Sequence, residues 1–304
     1  MRNLASLLCL LVAGLLSVAA LAGHQVDQLL REEEPVRQIA GDLPGDPAFS
    51  EAVTDMAVEE AVSALPEGIQ QFVPGGVAGL VRPLISSALD NERTVAAWDE
   101  VLQSTRSDYA DQLEEIFAEG TSGDTGELDI PVDFTPVTDA MTEPLRDGLE
   151  GALGKVPGVD AQSVEIPTPT VEVDIEAATD ESADPYTWAT AAALSQYWAG
   201  FGISAAVLIG LGLLLGVGRV RWAAAAAGAG VAALLGLWIA TTAASPSFQQ
   251  PAAVQEASAV MLDHVQSRFT NWAQPSWWVF TGAAGFITAV AVLAAAVAPA
   301  RREH

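Results

Sequence analysis

Cysteine occurs once in this chain, lysine once and histidine three times, and each scarcity removes a class of chemistry. The single thiol, Cys9, sits inside an N-terminal apolar run. No internal disulfide can form, so any exported part must hold itself together by packing. Cys9 also lies too early, and in the wrong context, for a lipoprotein attachment site, and is expected to face lipid or a neighbouring helix. His24, His264 and His304 are isolated from one another, and no His–Glu pair has ligand spacing, so a zinc or haem site has little to use. His264 is read as an exposed polar residue on a loop helix. G-x-S-x-G, P-loop and G-x-G-x-x-G motifs are absent, which leaves serine-hydrolase and nucleotide chemistry unsupported. Asp124, Glu127 and Asp129 cluster around glycines, but not with the spacing of an EF-hand loop. The sequence assigns no catalytic, cofactor-binding or metal-binding residue and no cofactor. It favours a non-enzyme over an enzyme.

Positive charge is also scarce. Thirteen Lys and Arg face 39 Asp and Glu, a formal net charge of −26. Of the acids, 36 lie between His24 and Asp184 beside seven basic residues, so that segment alone carries −29. Such a surface repels nucleic acid and anionic headgroups, and its plainest role is to keep an exported domain in water. One lysine against twelve arginines points to GC-rich coding rather than to chemistry.

What the chain has in quantity is long apolar runs. Leu4–Ala22, Phe201–Val217, Trp222–Ala244 and Trp277–Ala298 each approach the ~20 residues needed to cross a bilayer. The first has two readings, a cleaved signal peptide with Ala20-Leu21-Ala22 as an A-x-A site, or a retained span. Its length favours retention. Arginine-rich short loops stay cytoplasmic. Arg2, Arg219 with Arg221, and Arg301 with Arg302 fall on one side of a four-span chain, opposite the acidic segment. The spans hold no interior Asp, Glu, Lys, Arg or His, which argues against ion-coupled transport. Gly212 and Gly216, and Gly228, Ala232 and Gly236, have small-x-x-x-small spacing; packing within the hairpin of the second and third spans is favoured over dimerisation.

Between the spans, residues 24–40 continue the first helix with a kink at Pro35. Helices are expected from Asp46 to Leu65, with Asp46 or Ser50 as the cap, and along the stripe Val77, Leu80, Val81, Leu84, Ala88. The clearest helix is Glu92–Glu119, with Val95, Trp98, Val101, Leu102, Tyr109, Leu113, Ile116 and Phe117 on its apolar face and a glycine-rich stop from Gly120. A further helix is expected over Thr135–Val156. Glu127–Phe134 and Val164–Ile175 alternate like strands and could pair. Tyr186, Trp188, Tyr197 and Trp198 suit an outer interface belt. A separate amphipathic helix from Ala252 to Trp272 would lie on the membrane or cap the domain's base.

The fold class is therefore a mainly α membrane protein: four transmembrane helices plus an extracytoplasmic, mostly helical domain with room for one small β ribbon. The chain divides into 1–23 (first span or signal peptide), 24–190 (acidic extracytoplasmic domain), 191–218 and 222–244 (spans), 245–276 (outer loop), 277–298 (fourth span) and 299–304 (cytoplasmic tail). Its partners are the bilayer and an envelope protein or a second copy of itself, with no nucleic acid. Both termini are placed in the cytoplasm and residues 24–190 outside.

The run FVPGGVAGLVRPLISSALDNERTVAAWDEVLQSTRSDYADQLEEIF, followed by GELDIPVDFTPVTDAM, resembles an uncharacterised four-span actinobacterial integral membrane protein family with a large helical extracytoplasmic domain. Trp98, Leu113 and Leu128-Asp129-Ile130-Pro131 match its pattern. Tyr109 stands near where that family carries a histidine, so no role of that histidine carries over. The resemblance implies location and architecture rather than a reaction. The leading expectation is a non-enzymatic cell-envelope protein whose exported domain binds a partner or scaffolds an assembly. The alternatives are an outer-leaflet enzyme acting on lipid or cell-wall material through carboxylates, and a channel built by oligomerisation.

Overall fold

A computed structural model describes residues 2–63, 83, 87–89, 91–120, 133, 135–137, 139–141, 185–246 and 256–298. The chain is mainly helical, and no strand occurs among the described residues. The two stretches read as a ribbon lie outside them, Asp133 excepted, as does most of the stripe from Val77 to Leu84 and of the helix read over Thr135–Val156.

Helix α1 runs from Arg2 to Arg31. Thirty residues rise about 45 Å, more than the ~30 Å hydrocarbon core, so its last turns project beyond a bilayer. The expected kink falls not at Pro35 but at Glu32, which is extended (φ −106°, ψ 142°). A break there puts Pro35 in the first turn of α2, Glu33–Ala40, where a missing N–H costs nothing. A 3-10 turn over Leu43–Gly45 follows. Asp46 then caps α3, Pro47–Ser63, accepting from the N–H groups of Ala48 (2.8 Å) and Phe49 (3.2 Å). Helix α4, Glu92–Glu119, is capped by Asn91, whose side chain accepts from Arg93 N–H, and stops at Gly120, whose φ of 77° is costly for any residue with a Cβ.

The approach to the second span is two helices, α5 (Pro185–Ser195) and α6 (Trp198–Leu215). At the break between them, Ser195 Oγ donates to Ala192 O (2.7 Å) and Gln196 Nε2 to Ala193 O (2.9 Å), satisfying carbonyls that the interrupted ladder frees. Helix α7 is Arg219–Thr241. The loop helix and the fourth span prove to be one helix, α8, Glu256–Val297, 42 residues or about 63 Å long, with Pro275 inside it. The N-terminal part of α8 therefore continues the line of the span and packs on α2 and α3.

Four helices, 2–31, 198–215, 219–241 and 259–297, are long and apolar enough to cross a membrane. Within the bundle α1 lies between α6 and α7, and α7 packs on α8. The small-residue spacing serves these packings. A Cβ on Gly228 would come within 2.3 Å of Leu10 O, one on Gly212 within 2.6 Å of Leu10 Cγ, and one on Gly236 within 2.7 Å of Thr281 Oγ1. Gly212 and Gly228 thus face α1 and Gly236 faces α8, while α6 and α7 make few contacts with each other. Packing within one chain is what the spacing provides, but with α1 in the place expected for the hairpin partner. Ser6 Oγ adds a buried hydrogen bond to Gly212 O (2.6 Å).

Candidate functional site: a polar clasp beyond the spans

Where the helices leave the apolar region, aromatic and amide groups meet at one level. The His24 ring lies 4.4 Å from that of Trp198. Gln25 accepts from Trp277 Nε1 (2.6 Å) through Oε1 and donates through Nε2 to Ala273 O (3.0 Å) and Ser276 Oγ (2.7 Å). This brace sits beside Pro275, which has no N–H to give to Asn271 O, so α1 ties α8 down within a turn of the gap in its own ladder. Trp277 is 1% exposed and anchors an apolar cluster with Val18, Ala240, Ala244 and Ala273.

Beyond that level the helices are cross-braced by cations. Arg31, at the end of α1, binds Asp27 (2.6 Å) and Ser195 Oγ (3.0 Å). Arg106 of α4 donates to Leu30 O (2.6 Å), one of the carbonyls that the end of α1 leaves unpaired. Trp98, buried on α4, donates from Nε1 to Ala40 O (2.7 Å) at the end of α2. Arg37 holds Asp99 through two contacts of 2.9 Å. Hydrogen bonding to Arg37 pulls the Asp99 carboxyl below the usual range, and Asp99 raises the Arg37 guanidinium in turn. Tyr109, beside Leu30 and Leu113, has its phenol pushed up by burial.

Among the described residues, the histidine surrounded by charge is His264, which is buried (9% exposed), not on an exposed face as its sequence context implies. Its Nδ1 lies 3.0 Å from Asp46 Oδ2 and its Nε2 3.1 Å from Asp42 Oδ1. Arg268, one turn later on α8, pairs with the other oxygen of Asp42. Asp46 thus does two jobs, capping α3 with Oδ1 and facing His264 with Oδ2. Its carboxyl is held below the usual range, first by the N–H of Phe49, then by His264 and the N–H of Ala48. Leu43, fully buried, fixes the turn between the two carboxylates. The site is not legible in the sequence because His264 lies 218 residues from Asp46 and 222 from Asp42. Only the i, i+4 spacing of His264 and Arg268 hints at a cationic face.

Both imidazole nitrogens face carboxylate oxygens, so the arrangement ties α8 to the corner between α2 and α3. Among the described residues no group of three or more His, Cys, Asp or Glu is placed to hold a metal ion. An apolar cleft of about 350 Å³ opens between α1, α6, α7 and α8 beside Gly14, Gly228, Phe280 and Ile287. Its one hydroxyl, that of Ser17, is spent on Ala13 O (2.8 Å). His24 and Cys9 belong to α1; His304, Asp124, Glu127 and Asp129 lie outside the described residues. Comparison with protein-family models, with curated proteins and with solved structures finds no match to this chain.

Proposed function

We propose that the chain is a non-enzymatic, multi-pass protein of the cell envelope whose acidic segment, residues 24–190, stands outside the membrane and binds a partner or scaffolds an assembly. The observation that carries the reading is the continuity of α8, which runs from the spans to the His264 clasp without a break. A partner docked on the outer helices would be tied mechanically to the bundle. The resemblance to a four-span actinobacterial family agrees with this layout. The positive-inside bias of Arg2, Arg219 and Arg221 supports cytoplasmic termini.

The test is crosslinking in native membranes followed by mass spectrometry. Crosslinks from residues 92–119 to another envelope protein or a second copy of the chain are expected; recovery of the uncrosslinked monomer alone would sink the reading. An outer-leaflet enzyme using carboxylates is the alternative. The described acids of α4 other than Asp99, from Glu92 to Glu119, are exposed, and Asp42 and Asp46 are spent on His264 and Arg268, which favours the scaffold.

A further inference from the structure

We propose that Asp42, His264 and Asp46 form a proton-operated latch, in which the charged imidazole holds the outer part of α8 on the corner between α2 and α3 and its deprotonation releases it. The proposal rests on the contact geometry and is independent of any partner.

Carboxylates accept hydrogen bonds and do not donate them. An imidazole with carboxylate oxygens at 3.0 and 3.1 Å from its two nitrogens satisfies both only as the imidazolium, the form with two N–H donors. The shared proton has no better home on the carboxylates. Asp46 already accepts from Phe49 and Ala48, which holds its carboxyl low, and Asp42 is paired with Arg268. With His264 charged, two cations face two anions. With it neutral, one nitrogen of the buried ring presents a lone pair to a carboxylate about 3 Å away and a charge-assisted hydrogen bond is lost, most costly on the side of Asp46, which is less exposed than Asp42.

The remaining charges near the corner do not replace the lost one. On α8, Asp263 is exposed and adds negative charge. On α2, Glu33, Glu34 and Arg37 engage one another and Asp99. On α3, Glu51 and Asp55 are exposed acids. The latch is therefore closed while His264 carries both protons and opens when one is lost, so raising the pH favours the open form. Release stays local, because below the clasp α8 is held separately by Trp277 and by Gln25 on Ala273 and Ser276.

Hydrogen–deuterium exchange of the full chain in lipid nanodiscs, at pH 5.5 and 8.5 and corrected for intrinsic exchange, tests the latch. Peptides over 42–50 and 259–270 should exchange faster at pH 8.5, on the order of tenfold, the effect of losing one charge-assisted hydrogen bond. Those over 277–297 should not change. In His264→Gln the same peptides should be fast at both pH values. In Asp46→Asn the amide oxygen still caps α3 and the amide N–H donates to neutral His264, so the peptides should stay slow at pH 8.5. Equal exchange of the wild-type peptides at both pH values would overturn the proposal. So would a pH response that survives in His264→Gln, or one in Asp46→Asn as large as that of the wild type.

Discussion

Gly14 and Gly228 cross with their backbones in contact: a Cβ on Gly14 would lie 2.4 Å from the carbonyl oxygen of Gly228. That approach seats α1 against α7 and leaves Leu10 filling the adjoining groove beside Gly212. In a bilayer, where lipid is as apolar as leucine, van der Waals fit of this kind supplies much of the association between helices. Gly14→Leu should therefore force the helices apart and destabilise the bundle by about 1–3 kcal/mol or more, the usual cost of overpacking. A lowered midpoint of thermal aggregation in mild detergent would show it. Gly282→Leu, at a position with nothing within 4 Å of an added Cβ, should leave the midpoint unchanged.

Trp98 makes a second measurable case, this time outside the spans. Its indole N–H reaches Ala40 O at 2.7 Å, and the side chain is 4% exposed. Trp98→Phe keeps most of the ring volume but strands a buried carbonyl, which costs roughly 1–3 kcal/mol. The expected signature is local. Exchange of the α2 amides (33–40) should accelerate, while the spans keep wild-type protection.

These two residues also mark what the sequence reveals. Trp98 sits on a stripe with a period near 3.6, and its burial follows from that pattern alone. The four apolar runs and the glycine stop at Gly120 are legible in the same way, because each rests on local composition. What Gly14, Gly212 and Gly228 pack against is not. Spacing shows that a helix face is small; it does not say which helix will cover it. The union of the loop helix with the fourth span hides behind Pro275, since a proline in sequence reads as a stop. The Gln25 brace that accompanies its place inside α8 comes from 248 and 251 residues away. The clasp was invisible for the same reason, its carboxylates and histidine meeting only once α8 stands upright beside α3.

Asp46 gives the acid side of the pH dependence. Its carboxyl is lower in the folded protein than in the unfolded chain, owing first to the Phe49 N–H. A depressed carboxyl stabilises above its unfolded pKa, and that contribution fades as pH falls through the folded value. Asp46→Ala should cost about 1 kcal/mol at neutral pH, as loss of a helix cap does. The gap to the wild type should close below the usual carboxylate range. Melting curves of the two proteins at stepped pH between neutral and about 3, the acid end of the carboxylate range, would check this; a gap that stays constant would place the stabilisation elsewhere.

Orientation is testable through the scarcity of cysteine. With Cys9→Ala as background the chain has no thiol, so a single introduced cysteine reports one site. Ser107 on α4 is exposed and lies on the acidic side; Val220 is exposed at the start of α7, between Arg219 and Arg221. Arg219 there donates to Ala298 O (2.6 Å) and Ala296 O (3.1 Å), so the turn and the end of α8 share one face of the membrane. If arginine bias sets the threading, a membrane-impermeant maleimide added to intact cells should label Ser107→Cys and not Val220→Cys, and lysis should make Val220→Cys reactive. Labelling of Val220→Cys in intact cells, with Ser107→Cys protected, would invert the topology and place the acidic segment in the cytoplasm.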